Sequence, residues 1–239
     1  MRINMIKHFF IALIFFLPGL AWAEKLIFPM FPDKGVWTFI REYPVSDLDG
    51  TTVGQIKFYR LSSDENTGLS NLLMVTWMNR NPLTSPTDHF INSANALQKD
   101  CENLNITPHH QYIEHRVPLT YGRVYCTNSK DLNKGFIQSI KVMQGRSKLF
   151  IVTRQWYTPP FRMPIDFSDR NLFAKSIFKS EELASSWLNE FDLTKEHLLK
   201  SVTLCAESPE EFGNPCDDGE SAILNFSILS ARFEFLTFL

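Results

Sequence analysis

The clearest pattern of hydrophobic and polar positions lies between Ser85 and Leu104 and is typical of an amphipathic helix. Ser85 can cap the helix, Pro86 suits its first turn, and Asp88 places a negative charge near the positive end of the helix dipole. Apolar residues then recur every three or four positions, at Phe90, Ile91, Ala94, Leu97, Cys101 and Leu104. The pattern predicts a helix that ends in Cys101, with this cysteine on the buried stripe.

Runs of β-branched and aromatic residues predict about six strands. The runs are residues 35–43, 53–61, 72–78, 121–126, 136–143 and 148–156. A short turn around Gln144, Gly145 and Arg146 joins the last two runs and favours a hairpin. Three strands, a helix and three more strands predict an α+β fold, an antiparallel sheet with helices packed on its faces in a sandwich-like arrangement.

A second helical region is predicted after a proline-rich crossing, residues 157–164, in which regular structure is not expected. Ser180 is a candidate helix cap, and Leu183, Trp187, Leu188 and Phe191 keep helical spacing. Thr194 is a candidate cap for a further short helix over residues 195–199. Residues 202–205 are then expected to be extended.

The first 23 residues have the pattern of a bacterial secretory signal peptide. Arg2 and Lys7 form a basic leader, residues 9–17 are apolar, and residues 21–23 read Ala-Trp-Ala, a cleavage signature. Cleavage removes two basic and no acidic residues, so the formal charge changes from −2 to about −4. We therefore expect export to the periplasm or the extracellular medium, and such an acidic chain is not expected to bind nucleic acid.

Cysteine usage agrees with export, since all four cysteines follow the predicted cleavage point. Four cysteines allow three pairings. We favour Cys101 with Cys126 and Cys205 with Cys216, because each pair closes a short local loop. A zinc site is less favoured, because all-cysteine zinc sites usually bring their ligands in close pairs.

The domain organisation follows from these signals. Residues 24–205 are predicted to form a single disulfide-linked α+β domain, and residues 206–239 a loop and an apolar tail packed on it. The tail after Ser221 fits either a helix or a strand. Charged residues in and directly before this tail, Glu220, Arg232 and Glu234, argue against a membrane span.

Motifs for chemistry are few. His109, His110 and His115 form a small cluster, but on a strand His109 and His115 would lie about 20 Å apart, too far for one metal ion. Asp-Gly pairs at residues 49–50 and 218–219 do not match a calcium loop and are typical of turns. We find no G-x-S-x-G, H-E-x-x-H or P-loop pattern in the sequence, and we expect no cofactor and no metal site.

An aromatic and proline-rich segment is the remaining functional signal. Trp156, Tyr157, Pro159, Pro160 and Phe161 stand together at a predicted strand end. Aromatic anchors beside rigid prolines are typical of interaction surfaces, whereas large aromatics elsewhere are more often buried. We interpret the segment as a candidate interaction ridge.

The order of strands and helices from Trp37 to Leu204 is similar to that of the PsbP-like sandwich, and this resemblance implies an antiparallel sheet with helices on its faces. The sequence thus predicts an exported, non-enzymatic α+β domain that binds a protein or a small ligand. One alternative is a secreted hydrolase with an unfamiliar active-site geometry. Another is a membrane-associated protein held by the apolar tail.

Overall fold

A computed structural model describes residues 24–28, 36–47, 49–61, 71–107, 109–114, 116–163 and 169–206. The predicted signal peptide, residues 1–23, and the loop and tail from residue 207 onward lie outside the described residues.

The described residues form ten strands, three α-helices and one short 3-10 helix. In chain order they are β1 (Glu24–Ile27), β2 (Trp37–Ser46), β3 (Thr52–Leu61), β4 (Asn71–Asn79), α1 (Pro86–Ala96), a 3-10 turn (Leu97–Lys99), β5 (Leu104–Ile106), β6 (His110–Glu114), β7 (Val117–Cys126), β8 (Gly135–Gln144), β9 (Lys148–Thr158), α2 (Arg170–Ile177), α3 (Glu181–Lys200) and β10 (Thr203–Ala206).

Eight strands build one open antiparallel sheet, in the order β2-β3-β4-β9-β8-β7-β5, with β6 also paired to β7. β1 and β10 pair separately as a two-stranded ribbon. The α+β class is confirmed, but the sheet has more strands than the predicted six. The additional strands, β5 and β6, have three and five residues and little burial, so their hydrophobic pattern is weak.

The sheet is covered on both faces. On one side, which we call the α3 face, α2, α3 and the β1–β10 ribbon pack on the sheet, and two large clusters form there around residues such as Trp187, Phe191 and Leu198. On the other side, the α1 face, Phe90 and Ala94 pack against β7, β8 and β9. Gly122 lies under Phe90, and a Cβ there would come within 2.3 Å of the Phe90 ring.

The start of α1 agrees with the prediction and its end does not. Ser85 and Asp88 form a reciprocal capping box, with Pro86 in the first turn. The helix ends at Ala96, and after the 3-10 turn Cys101 forms an isolated bridge with Ser129. The chain must leave the helix there because Leu104 begins β5, which pairs with the end of β7.

The predicted disulfide between Cys101 and Cys126 is confirmed. Their Cα atoms lie 5.6 Å apart, and both side chains are buried beside Phe136. The bond ties the segment after α1 to the last residue of β7. Cys205 lies in β10, while its predicted partner, Cys216, lies outside the described residues.

From Ser180 onward the second helical region is one long helix, so the predicted cap at Thr194 was wrong. α3 is capped by Ser180 as predicted and runs through Thr194 to Lys200. The Thr194 hydroxyl is fully buried and accepts a hydrogen bond from Arg154 at 2.9 Å. This residue therefore serves the core rather than a helix end.

The predicted hairpin of β8 and β9 is confirmed, with Gln144 opposite Leu149 and the backbone N–H of Gly145 donating to the Lys148 carbonyl. β9 continues to Thr158, two residues into the segment predicted to be irregular. Continued pairing with β8, as far as Gly135 opposite Thr158, keeps this part of the chain extended.

Candidate functional site

The two outer edges of the sheet differ in how well they are protected against pairing with another strand. Among the described residues, β2 pairs only with β3 at one edge, and β5 and β6 each pair only with β7 at the other. β2 contains a bulge between Phe39 and Arg41 and a proline, Pro44. Bulges, prolines, charges and short strand length are the devices that block an exposed edge. β6 is short and ends in the charged Glu114, but it has neither a bulge nor a proline.

The outer backbone of β6 has a defined pattern of hydrogen-bonding groups. Glu114 lies opposite Val117, with two residues between them, and Arg116 has a φ of 66°. In a two-residue hairpin the closing pair is hydrogen-bonded, and bonding then alternates along the strand. His110, Tyr112 and Glu114 therefore turn their backbone groups toward β7, whereas Gln111 and Ile113 turn theirs outward.

The side chains of β6 alternate between the two faces of the sheet. Glu114 contacts Lys141 on the α3 face, and the His110 and Tyr112 rings lie 6.0 Å apart on that same side. Gln111 contacts Thr87 of α1 and so lies on the α1 face. Ile113 shares that face, and 80 % of its surface is exposed. An apolar side chain this exposed, on an edge strand without a bulge or a proline, is a candidate contact for a partner.

A depression of about 410 Å³ adjoins β6 on the α1 face. The start of α1, β6 and β7 line it. A chain of hydrogen bonds crosses its floor, because the Gln111 amide donates to the Thr87 hydroxyl at 2.9 Å, and this hydroxyl lies 2.9 Å from that of Thr120. This depression can accept both polar and apolar groups.

A second depression, of about 420 Å³, adjoins β6 on the α3 face. Its lining combines apolar surface with two charged side chains and consists of Tyr112, Ile113, Glu114, Leu119, Leu199 and Lys200. Both depressions fall in the size range of ligand sites in proteins. The β6 edge is thus flanked by one recess on each face, and we call this arrangement the β6 site.

Lys141 holds Glu114, one of the residues that line the second depression. Its Nζ atom donates to Glu114 Oε2 at 2.9 Å, to the Val202 carbonyl at 2.5 Å and to the Leu199 carbonyl at 3.5 Å. Burial lowers the pKa of this fully buried lysine, and the Glu114 carboxylate partly opposes the shift. Because all three ammonium protons have acceptors, Lys141 acts as a brace between β6, the end of α3 and the residue before β10.

The histidines that lie close together in the sequence do not form a cluster in the described residues. His109 is half-buried, and its ring lies 5.9 Å from that of Phe90, while His110 is exposed near Tyr112. His115 lies outside the described residues. Within those residues, no group of three or more histidine, cysteine or carboxylate side chains is placed to hold a metal ion.

The Asp-Gly pair at residues 49–50 is part of a turn, as its sequence indicated. The Asp47 carboxylate accepts hydrogen bonds from the backbone N–H groups of Asp49 and Thr51, at 3.1 and 2.8 Å. Gly50 has a φ of 80°, which glycine adopts without strain. The second pair, residues 218–219, lies outside the described residues.

Most of the aromatic side chains of the candidate interaction ridge are not at the surface. Trp156 is fully buried and Phe161 nearly so, because both pack in the cluster formed with Phe173 and Trp187. Tyr157 is half-buried, and only Pro159 and Pro160 of the five are exposed. A depression of about 640 Å³ adjoins Pro160 and Phe161. The two buried aromatics cannot anchor a partner without leaving the core, while binding at the prolines stays a prediction.

Sequence reasoning did not single out Tyr112, Ile113 or Lys141. The signal that could have found the first two is the pair Tyr112-Ile113, two residues of high β-propensity directly before a turn and a β-rich run. The role of Lys141 had no local signal, because Leu199 and Val202 are 58 and 61 residues away in the chain.

No family model matches the sequence, and neither does any curated protein. Among the helices that the structure describes, none has the length and apolar character needed to cross a membrane.

Proposed function

We propose that this protein is an exported, non-enzymatic binding domain that takes up a segment of a protein partner, in an extended conformation, at the β6 site. The observation that carries the proposal is an edge strand that pairs on one side only among the described residues and has a recess on each of its two faces. In strand addition, backbone hydrogen bonds supply affinity, and recesses for alternate side chains supply selectivity. The outward backbone groups of Gln111 and Ile113 would bond the added strand.

The character of the two recesses defines the partner segment. Side chains directed to the α3 face would meet Tyr112, Leu119 and the Lys141-braced carboxylate of Glu114, which favours apolar groups with a hydrogen-bond donor. Side chains directed to the α1 face would meet Ile113 and the hydroxyl and amide groups of Thr87 and Gln111.

Export is supported by two observations that are independent of each other. One is the signal-peptide pattern of residues 1–23, and the other is the Cys101–Cys126 disulfide, since disulfides persist in oxidising compartments. Mass spectrometry of the protein from a periplasmic or secreted fraction should give an amino terminus at Glu24. A cytoplasmic protein that keeps residues 1–23 would overturn this part of the proposal.

Site-specific photo-crosslinking tests the binding function. Benzoylphenylalanine in place of Ile113 should give adducts with a partner in the exporting cell, whereas the same probe in place of Phe39, an exposed residue of the opposite edge strand, should not. The backbone contribution is tested by Ile113→Pro, which removes an outward N–H and leaves the bonds to β7 in place. Adducts of equal yield at both edges would contradict the assignment of the site.

The secreted hydrolase remains the alternative. It requires a turnover that a point mutation abolishes, and the described residues supply no cluster of histidine and carboxylate groups in either recess of the β6 site. Reproducible hydrolysis by the purified protein, lost on changing one residue, would favour this alternative over a binding domain.

A further inference from the structure

We propose that the segment added at β6 is β6 of a second copy of this chain, so that the protein forms a two-fold symmetric dimer. This inference rests on the proposed function, because it names the partner of the same site. It follows from the register that symmetry allows and from the side chains which that register brings together.

Two-fold symmetry restricts how β6 can pair with itself. The axis must stand perpendicular to the sheet, so directly opposite residues point to the same face and their numbers add to an even value. The outward backbone groups belong to Gln111 and Ile113, and these must form the hydrogen-bonded pairs. The register that overlaps all five residues of the strand places Gln111 opposite Ile113 of the second copy and Tyr112 on the axis.

The side chains are complementary in this register. On the α3 face, His110 lies opposite Glu114 of the second copy at both ends of the pairing, and the two Tyr112 rings meet at the axis between them. Glu114 uses Oε2 for Lys141, which leaves its second oxygen for the imidazole of the other copy. On the α1 face, the exposed Ile113 packs beside the aliphatic part of Gln111. No like charges face each other in this pairing.

Shifting the register by two residues in either direction removes these contacts. Such shifts pair only three residues of β6 with the second copy and place either Gln111 or Ile113 on the axis. The full register also joins the two α3-face recesses across Tyr112 into one groove to which both copies contribute. The dimer then contains one continuous antiparallel sheet of two eight-stranded halves.

A five-residue strand buries less area than a standard stable interface, so we expect the dimer to dissociate on dilution. Sedimentation velocity of the exported chain, purified under oxidising conditions, should show a monomer at low concentration and a dimer at high concentration. Ile113→Pro should weaken dimerisation by roughly a hundredfold, because both copies of the outward N–H are lost. His110→Asp, which places two carboxylates opposite each other, should weaken it by roughly tenfold.

Cysteine cross-linking tests the register directly. Opposite residues of a non-hydrogen-bonded pair have Cα atoms about 4.5 Å apart, a separation that suits a disulfide. Tyr112→Cys should therefore form a covalent dimer on mild oxidation. Gln111→Cys and Ile113→Cys should each form little dimer alone and a mixed dimer when combined. Wild type and Phe39→Cys, on the opposite edge, are the controls for the native cysteines and for chance collisions.

The outcomes separate this inference from the proposed function. A chain that stays monomeric at the highest concentration, with Tyr112→Cys no more cross-linked than Phe39→Cys, overturns the dimer. Photo-adducts of Ile113 with a different protein would then show that strand addition at β6 stands with another partner. Absence of both results would overturn the β6 site itself.

Discussion

The edge strands β2 and β6, on opposite sides of the sheet, differ in length, in exposed apolar residues and in protection against pairing. β2 is ten residues long and exposes Phe39, Ile40 and Tyr43, whereas β6 has five residues and exposes Tyr112 and Ile113. The longer and more apolar edge is the one that carries a bulge, a proline and adjacent opposite charges, Arg41 and Glu42. This difference fits the proposed function, in which β2 is protected against aggregation and β6 pairs with an added strand.

Symmetric self-pairing shows the same contrast. Centring a two-fold axis on β2 requires either Arg41 opposite Arg41 or Glu42 opposite Glu42 of another copy, and like charges directly opposite are destabilising. The guanidinium of Arg41 also lies over the rings of Tyr43 and Phe58, at 5.0 and 5.5 Å from their centroids, which covers part of the apolar surface. In the proposed dimer, the axis at β6 lies on an uncharged tyrosine. Five predictions test how far this contrast holds.

The largest expected effect concerns the covalent fastening of the β5–β6 side of the sheet. Replacing Cys101 and Cys126 together by alanine should lower the free energy of unfolding by about 3 kcal/mol, because the bond closes a loop between residues 25 apart in the chain. Urea denaturation measures the loss, and the wild type in reducing buffer is the matched control. An unchanged midpoint would show that this edge does not depend on the bond.

The next prediction compares the ion pairs beside the two edges. Lys141→Met should lower the free energy of unfolding by about 2 kcal/mol, because it leaves the partly exposed Glu114 carboxylate without its buried cation and two carbonyls without a donor. Lys57→Met should cost less than about 1 kcal/mol, because Lys57 and Glu42 lie 4.0 Å apart near the surface. Equal losses in urea denaturation would show that the brace under β6 has no special role.

The pH dependence of the brace has a definite sign. The pKa of Lys141 is lowered in the folded state by burial, so the unfolded chain binds the proton more tightly. The free energy of unfolding therefore increases with pH between the lowered pKa of Lys141 in the folded state and the ordinary pKa of lysine. Lys141→Met should remove that alkaline increment, which denaturation curves recorded across this range would detect.

A smaller effect is expected from removing the protection of β2. This test uses a chain in which Ile113→Pro prevents pairing at β6. In that chain, the double substitution Glu42→Thr and Pro44→Thr should strengthen self-association by roughly tenfold. The physical reason is that the changes remove a like-charge contact and restore a backbone N–H. Sedimentation against the Ile113→Pro chain measures the change. If association is unaffected, the bulge at Ile40 alone protects this edge.

The smallest expected effect lies at the start of α1, beside the β6 site. Ser85→Ala should lower the free energy of unfolding by about 1 kcal/mol, because the cap of the helix is lost. Hydrogen bonds from the Ser85 backbone and hydroxyl lower the pKa of the Asp88 carboxyl. The stabilisation from these bonds is therefore fully present above the ordinary carboxyl pKa and is lost as the pH falls through the lowered pKa of the folded state. Ser180→Ala at the start of α3 is the matched control, since its cap has no reciprocal bond. We expect a weaker acid dependence in Ser85→Ala than in that control.

Local signals explain what was predictable. The capping residues of α1, the β8–β9 hairpin and the Cys101–Cys126 pair were all read from short segments, and each depends on contacts between residues close in the chain. The early end of α1 was not predictable, because the apolar spacing continues through Leu97, Cys101 and Leu104 while pairing with β7 takes over the chain. The candidate site was missed for a similar reason, since a five-residue strand shows too little alternation to stand out.

The sequence by itself determined the α+β class, the main strands and both long helix starts, because propensity, capping and periodicity act over a few residues. Only the tertiary structure decided which surfaces remain accessible. The local sequence predicts a binding ridge at Trp156 and Phe161, yet α2 and α3 bury both side chains. Lys141 became a brace because the end of α3 and the residue before β10 return to β8 across about sixty positions of chain. Contacts of that range depend on how the whole sheet is assembled, and no short stretch of sequence contains them.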